Sequence, residues 1–344
     1  MKKQIIAAAV AASVSAVAMA DVSITGNANY EWFSTTTGSN NAVYTADTEV
    51  NLSVKGKSGD TGVVLNMEFN EDHGGANLDV EDMYLTTKVG DISVKGGHWS
   101  SGTTALGGEI DHGGRSTNKL DLGYTAAGWK LGYQQSGSTV DNDGSTITAS
   151  GNVAGVAVSI KEASDTATYL GATGSLAGID YRLENKDADA ANSDVFFADI
   201  STKVGGATVG YTVLDADAAG KISEGDSGIF GLSVNHEDAA VGTTSTTSTP
   251  TANRTTAGTS GNRGNVATGA KQIRISAPMA GNTLSAKIGT IEDGLGSGSD
   301  LDFTELKLTR ALASGATLNI VYDDYDDTTS TSKEVIEIDL SVKF

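Results

Sequence analysis

The 344-residue chain contains no cysteine, which excludes a disulfide framework, thiol catalysis and any cysteine-ligated zinc. Proline occurs only twice, and long stretches of helical period are missing. Long apolar runs are missing as well. The one near the start, Ile5 to Val17, is short and alanine-rich, and nothing later approaches the roughly eighteen residues that a spanning helix needs. Basic charge is scarce: 23 Lys and Arg stand against 43 Asp and Glu, a formal net charge of -20. That balance excludes a nucleic-acid partner, whose phosphates require a basic surface. It fits either solubility in salt or an affinity for cations. Hydrophobic residues make up 38%, below the usual globular share.

Glycine is abundant, at 43 residues, and with so little proline this points to many strands joined by tight turns. The chain opens Met1-Lys2-Lys3, passes through the apolar run, and reaches Ala18-Met19-Ala20 before Asp21. This is the pattern of a secretory signal peptide over residues 1–20, with the mature protein expected at 21–344. Loss of Lys2 and Lys3 leaves 21 basic residues against 43 acidic ones and moves the charge from -20 to -22.

The last eleven residues carry the pattern that organises the rest. Ile336, Ile338, Leu340, Val342 and Phe344 share one side of an extended chain, and Val335, Glu337, Asp339, Ser341 and Lys343 share the other. About eleven residues is the length of a tilted strand crossing a bilayer. The terminal Phe falls where a membrane barrel carries its aromatic girdle. The same two-faced reading recurs from Val22 to Trp32, around Val50–Lys55 and Val63–Asn70, and in further segments to the C terminus. Short turns near Ser58-Gly59-Asp60, Gly90-Asp91, Ala127-Gly128, Ala177-Gly178, Gly205-Gly206, Ala280-Gly281 and Ser314-Gly315 alternate with longer polar loops. If consecutive strands are antiparallel neighbours, turns gather at one rim and loops at the other, as in an outer-membrane barrel. Eighteen segments can be counted. Gly228–His236 and Val241–Thr247 could add two, or could belong to a long external loop. Residues 237–268 are expected to form such a loop and to be mobile, because Thr243–Gly264 is too polar to order itself.

Signal peptide, alternating strands, sorted turns and Phe344 together resemble the general-diffusion porins of Gram-negative outer membranes. The most specific local match is Glu81-Asp82-Met83-Tyr84-Leu85-Thr86-Thr87-Lys88-Val89-Gly90-Asp91-Ile92-Ser93-Val94-Lys95-Gly96-Gly97, which resembles the family's fourth and fifth strands. Val89 replaces the turn aromatic, and Gly96-Gly97-His98 replaces the Gly-Arg pair at the start of the channel-narrowing loop. The resemblance implies an all-β, transmembrane, antiparallel up-and-down barrel of 16–18 strands with an inward-folded constriction loop. It also implies a homotrimer, and places the constriction at residues 98–118. Glu109 and Asp111 would stand at the acidic tip of that loop; Gly107 and Gly108 permit close backbone approach, and carboxylates two residues apart can face one gap.

With apolar positions facing lipid, the opposite positions face a channel. Lys55, Lys119, Lys130, Lys161, Arg182, Lys186, Arg274, Lys287, Lys307 and Lys343 then point inward, as do Glu31, Glu49, Glu68, Asp121, Asp180, Glu184, Glu305, Glu337 and Asp339. Lys55, Lys119, Lys130 and Arg182 are the candidate partners of Glu109 and Asp111 across the pore. His73, His98, His112 and His236 read as loop residues without metal-ligand or triad spacing, and no cofactor is expected. Asp141-Asn142-Asp143-Gly144 begins like a calcium loop but has Asn152 at its twelfth position. The clusters Asp323-Asp324 and Asp326-Asp327 read as a solvated charge run. The expected function is passive diffusion of small hydrophilic solutes and ions, with a cation preference and without enzymatic chemistry. The alternative is a secreted surface-layer or adhesin-like β-protein without channel activity.

Overall fold

A computed structural model of the chain describes residues 21–70, 77–100, 115–136, 144–163, 166–191, 194–217, 222–223, 266–267, 269–292, 300–327 and 332–344. The signal span 1–20, the loop residues 237–265, and the segments Gly228–His236 and Val241–Thr247 lie outside them. Among the described residues there is no helix.

The first strands are β1 (Asp21–Thr37), β2 (Val43–Ser58), β3 (Thr61–Asn70), β4 (Asn77–Val89), β5 (Ile92–Ser100), β6 (Arg115–Ala126) and β7 (Trp129–Ser136). Next come β8 (Ser145–Val153), β9 (Val156–Ala163), β10 (Ala167–Leu176), β11 (Ile179–Ala188), β12 (Val195–Val204) and β13 (Ala207–Ala216). Two short strands, β14 (Ile222–Ser223) and β15 (Val266–Ala267), pair only with each other. The chain ends with β16 (Gly269–Met279), β17 (Asn282–Glu292), β18 (Leu301–Ala311), β19 (Thr317–Asp327) and β20 (Ser332–Lys343). The longer strands form one 18-stranded antiparallel sheet in which each pairs with its sequence neighbours, β13 passing directly to β16. β1 pairs with both β2 and β20, so the sheet closes on itself and leaves no free edge. The count is the upper end of the expected range, and Glu81–Gly97 falls on β4 and β5.

Phe344 completes the seam. It exchanges two backbone hydrogen bonds with Gly26, of 2.9 and 3.0 Å. Its ring lies over that glycine, where a Cβ would come within 2.8 Å of it. Trp129 covers Gly151 and Tyr181 covers Gly174 in the same manner. Aromatic rings lying on cross-strand glycines thus recur on the outer surface near the turn rim.

Five turns at that rim have two residues, both with positive φ: Ala127-Gly128, Ala154-Gly155, Ala177-Gly178, Gly205-Gly206 and Ala280-Gly281. This is the type I′ geometry, whose twist matches that of the flanking strands. Ala154-Gly155 is an addition to the turns read from sequence. The β2–β3, β4–β5 and β18–β19 connections share that rim, and the opposite rim carries the rest, of which 217–268 is the longest and 164–166 is as short as a turn. Sorting therefore follows from strand direction more strictly than from connection length.

Along most of each barrel strand large apolar side chains alternate with polar ones, and the exposed apolar ones face out. Ile24 and Ile288 are 64% and 62% exposed, whereas Glu184 and Glu305 on the inner face are each 1% exposed. A water-soluble protein buries the opposite set. Among the described residues, charges on the outer face occur only near strand ends, as at Glu162, Asp187, Asp215 and Glu334 at the loop rim and Arg310 at the turn rim. A charge at mid-membrane on that face costs about 2–4 kcal/mol, and the distribution avoids it.

Three expectations need correction. His98 is not in a loop: it lies in β5, opposite Met83. The 98–118 span begins and ends in strand, because β5 runs to Ser100 and β6 starts at Arg115, each backbone completing hydrogen bonds that a loop would leave open. Asp323 is not part of a solvated run. It faces into the barrel and is 1% exposed, because position 323 has the inward parity of β19.

Candidate functional site: the barrel interior

Because strand order around the ring equals sequence order, inward parity places every charge in a sector. β19, β20 and β1–β3 present Asp323, Glu337, Asp339, Glu31, Glu49 and Glu68. Lys55, Lys57 and Lys343 are basic exceptions there, near the turn rim. The facing sector, β5–β11, presents Lys95, Lys119, Lys130, Lys161, Arg182 and Lys186. Asp121, Asp180 and Glu184 are interspersed among them. The interior therefore has an acidic wall opposite a basic one.

The basic wall is organised on aromatic rings. Lys95 Nζ lies 3.9 Å from the Tyr84 ring centroid and 4.2 Å from that of Trp99. Lys119 Nζ is 5.4 Å from the same indole and donates a 2.9 Å hydrogen bond to the Trp99 carbonyl oxygen. Trp99 and Lys119 are both buried. Lys161 Nζ lies 4.8 Å from the Tyr169 centroid, and the Arg182 guanidinium 4.8 Å from that of Phe197. Ring faces attract cations, and the attraction grows as water is removed. The β5–β6 pairing shifts register between Gly97 and Trp99, beside the indole that faces both ammonium groups.

Elsewhere cations are tied to carboxylates. Arg274 lies across β13 and grips Asp199 with both terminal nitrogens, Nη2 donating to Asp199 Oδ2 at 2.8 Å. Its Nη1 also donates to Thr212 Oγ1 at 2.7 Å. Gly210 leaves room for this path, since a Cβ there would come within 2.5 Å of the guanidinium carbon. Lys287 pairs with Glu305 at 3.0 Å, both largely buried. Arg182 forms an ion pair with Glu184 at 3.5 Å.

The inner face is not polar throughout, contrary to the simple alternation read from sequence. Tyr169, Val195, Phe197, Leu214 and Phe303 belong to one buried apolar cluster, and Phe33, Val321 and Val335 form a second. Both occupy inward positions toward the loop rim. There the wall packs as a hydrophobic core.

The predicted site residues are dispersed. Lys55 and Lys130 are exposed near the turn rim, Lys119 is buried against the Trp99 ring, and Arg182 sits against Phe197 and Glu184. Glu109 and Asp111 lie outside the described residues. Sequence reasoning missed Asp82, Tyr84, Lys95, Trp99 and Asp199. The first three share the inward parity of β4 and β5, a signal present in the stretch that carries the family resemblance.

A closed, antiparallel, 18-stranded barrel with an apolar exterior and a charged interior is the architecture of outer-membrane porins. Solved structures of this fold include Pseudomonas aeruginosa OccK11 (OpdR), with a TM-score of 0.63 at 11% identity over 94% of this chain and 96% of that one. P. aeruginosa OccK2 (OpdF) in complex with glucuronate matches with a TM-score of 0.63 at 13% identity, over 94% and 98%. P. aeruginosa OpdL matches with 0.61 at 12%, over 94% and 99%. At these identities the likeness is one of fold. No protein family and no curated protein matches the sequence.

Proposed function

We propose that the chain is an outer-membrane channel of a Gram-negative bacterium, through which small hydrophilic solutes and ions diffuse passively. The observation that carries this reading is the closed ring whose aliphatic residues face out while its carboxylates and cations face in. Membrane lipid covers the first set and water reaches the second. Residues 1–20 direct export, and the working form is a homotrimer. Glu109 and Asp111, on a loop between β5 and β6, narrow the passage against the basic wall that contains Lys119, Lys130 and Arg182, with Lys55 near the turn rim. The acidic and basic walls impose a field across the pore that sorts solutes by charge and dipole. The excess of carboxylates, 43 against 23 basic residues, gives a preference for cations.

Purified protein in planar lipid bilayers tests the reading. Discrete conductance steps are expected, with a reversal potential under a salt gradient of the sign set by cation permeation. Absence of steps would refute the channel, and the opposite sign would refute the cation preference. A secreted repeat protein would stack coils without closing a ring. The pairing of β1 with β20 argues against that alternative.

A further inference from the structure

Strands β18, β19 and β20 gather three carboxylates on the inner wall. Glu305 stands directly opposite Asp323, and Glu337 lies diagonally from it, two residues beyond the Val335 that pairs with Asp323. All three are buried: Glu305 and Asp323 are 1% exposed and Glu337 6%. A charge held so far from water needs a counterion or hydrogen bonds. Glu305 has Lys287, 3.0 Å away, and Glu337 is engaged as well. Asp323 is different: neither of its carboxyl oxygens reaches solvent or has a hydrogen-bond partner.

What surrounds Asp323 decides which partner it lacks. One side is apolar, formed by Val335, Val321 and Phe33. On the other side the charged groups acting on it are Glu305 and Lys307 of β18, Lys287 of β17 and Glu337 of β20. Asp339, the next inward position along β20, accepts from Asn319 at 2.7 Å. From β1 comes Phe33, opposite Glu337. Carboxylates in the cluster therefore outnumber ammonium groups, three to two, and Lys287 is committed to Glu305. Burial against apolar neighbours and two like charges both disfavour a third ionised carboxylate, and carboxyls sharing a site resolve the conflict by keeping a proton. The two ammonium groups would repel a metal cation, whereas a proton removes the surplus charge. The cluster stands at the loop rim, level with the outward-facing pair Asp324 and Glu334, so the hydrocarbon of the membrane does not reach it.

We infer that Asp323 is a proton-binding site: at neutral pH it is the uncharged acid, its O–H shared with the carboxylates of Glu305 and Glu337, and it yields that proton to solvent as the pH rises. Release leaves a third negative charge in the cluster, and repulsion loosens the β18–β20 wall. The folded barrel keeps a proton that the unfolded chain gives up, so the stability this site contributes is present in mild acid and lost at alkaline pH. The site belongs to the barrel whether or not the barrel conducts, so it and the channel reading stand or fall separately.

Infrared spectra of the detergent-refolded protein in heavy water read the proton directly. At neutral pH the wild type is expected to show the carbonyl absorption of one uncharged carboxylic acid that Asp323→Asn lacks, and to lose it at alkaline pH. The urea midpoint of the wild type is expected to fall between mildly acidic and alkaline pH, and that of Asp323→Asn to fall less. Identical acid absorption in the two proteins at neutral pH would overturn the site, as would identical pH dependence of the midpoints. Should Asp323→Asn fail to refold, Glu337→Gln decides alone. Removing one like charge is expected to move the loss of the absorption to lower pH, by about one pH unit, and an unmoved absorption would overturn the site.

Discussion

Gly97 marks the closest approach of β5 to β4. A Cβ at this position would lie 2.3 Å from the Met83 carbonyl oxygen and 2.7 Å from Tyr84 Cα, on a backbone with φ of +144°. Neither neighbour is a flexible side chain, so no rotamer change relieves the clash. Gly97→Ala is expected to destabilise the barrel by on the order of 2–4 kcal/mol. The measurement is the urea midpoint of detergent-refolded protein, and a wild-type midpoint would contradict the argument. Residue roles were partly legible in the sequence. Parity alone places Lys119 inside, and it does lie there. Trp99 shares that parity, but a family-based reading put 98–118 in a loop and hid it. Asp199 was obscured for a different reason: Phe196 and Phe197 place an aromatic on each face of β12, which erases the contrast that alternation depends on.

At the scale of elements, the hairpins show where local chemistry and geometry disagree. Type I′ turns favour Asn or Gly at the first position, yet Ala127, Ala154, Ala177 and Ala280 hold φ of 50–53° there. Alanine in this region pays a steric cost of about 1–2 kcal/mol, which Asn largely avoids by local hydrogen bonding. Ala177→Asn should therefore stabilise the β10–β11 hairpin by roughly 0.5–1 kcal/mol, seen as a higher urea midpoint. A lower midpoint would mean that the turn is set by something other than backbone preference. Strand existence was readable almost everywhere, because a wall with lipid on one side and charge on the other keeps period two over most of its length. Strand ends were less so. β1 and β2 run beyond the segments their alternation suggests, as far as Thr37 and back from Val43, where Thr, Tyr and Ala carry no clear face.

The whole molecule is a ring in which rank in sequence is position in space. Opposed acidic and basic sectors follow from that simple order, since β1 and β10 stand nine places apart among eighteen strands. The sectors become legible only after the count is known, because a shift of two strands rotates every assignment. The apolar clusters toward the loop rim were not legible. Phe33, Phe197 and Phe303 have the parity of lumen residues and the chemistry of core ones, and only burial reveals which governs.

The central claim is that neighbouring side chains along each strand meet water and hydrocarbon in turn. A chain without cysteine allows that to be tested one position at a time. Single channels of Asn51→Cys, Leu52→Cys, Lys161→Cys and Ile160→Cys would be exposed to a charged, membrane-impermeant thiol reagent while current is recorded. Stepwise loss of conductance is expected for Asn51→Cys and Lys161→Cys, and none for Leu52→Cys or Ile160→Cys. Equal reaction at adjacent positions, or reaction confined to the apolar set, would contradict the account.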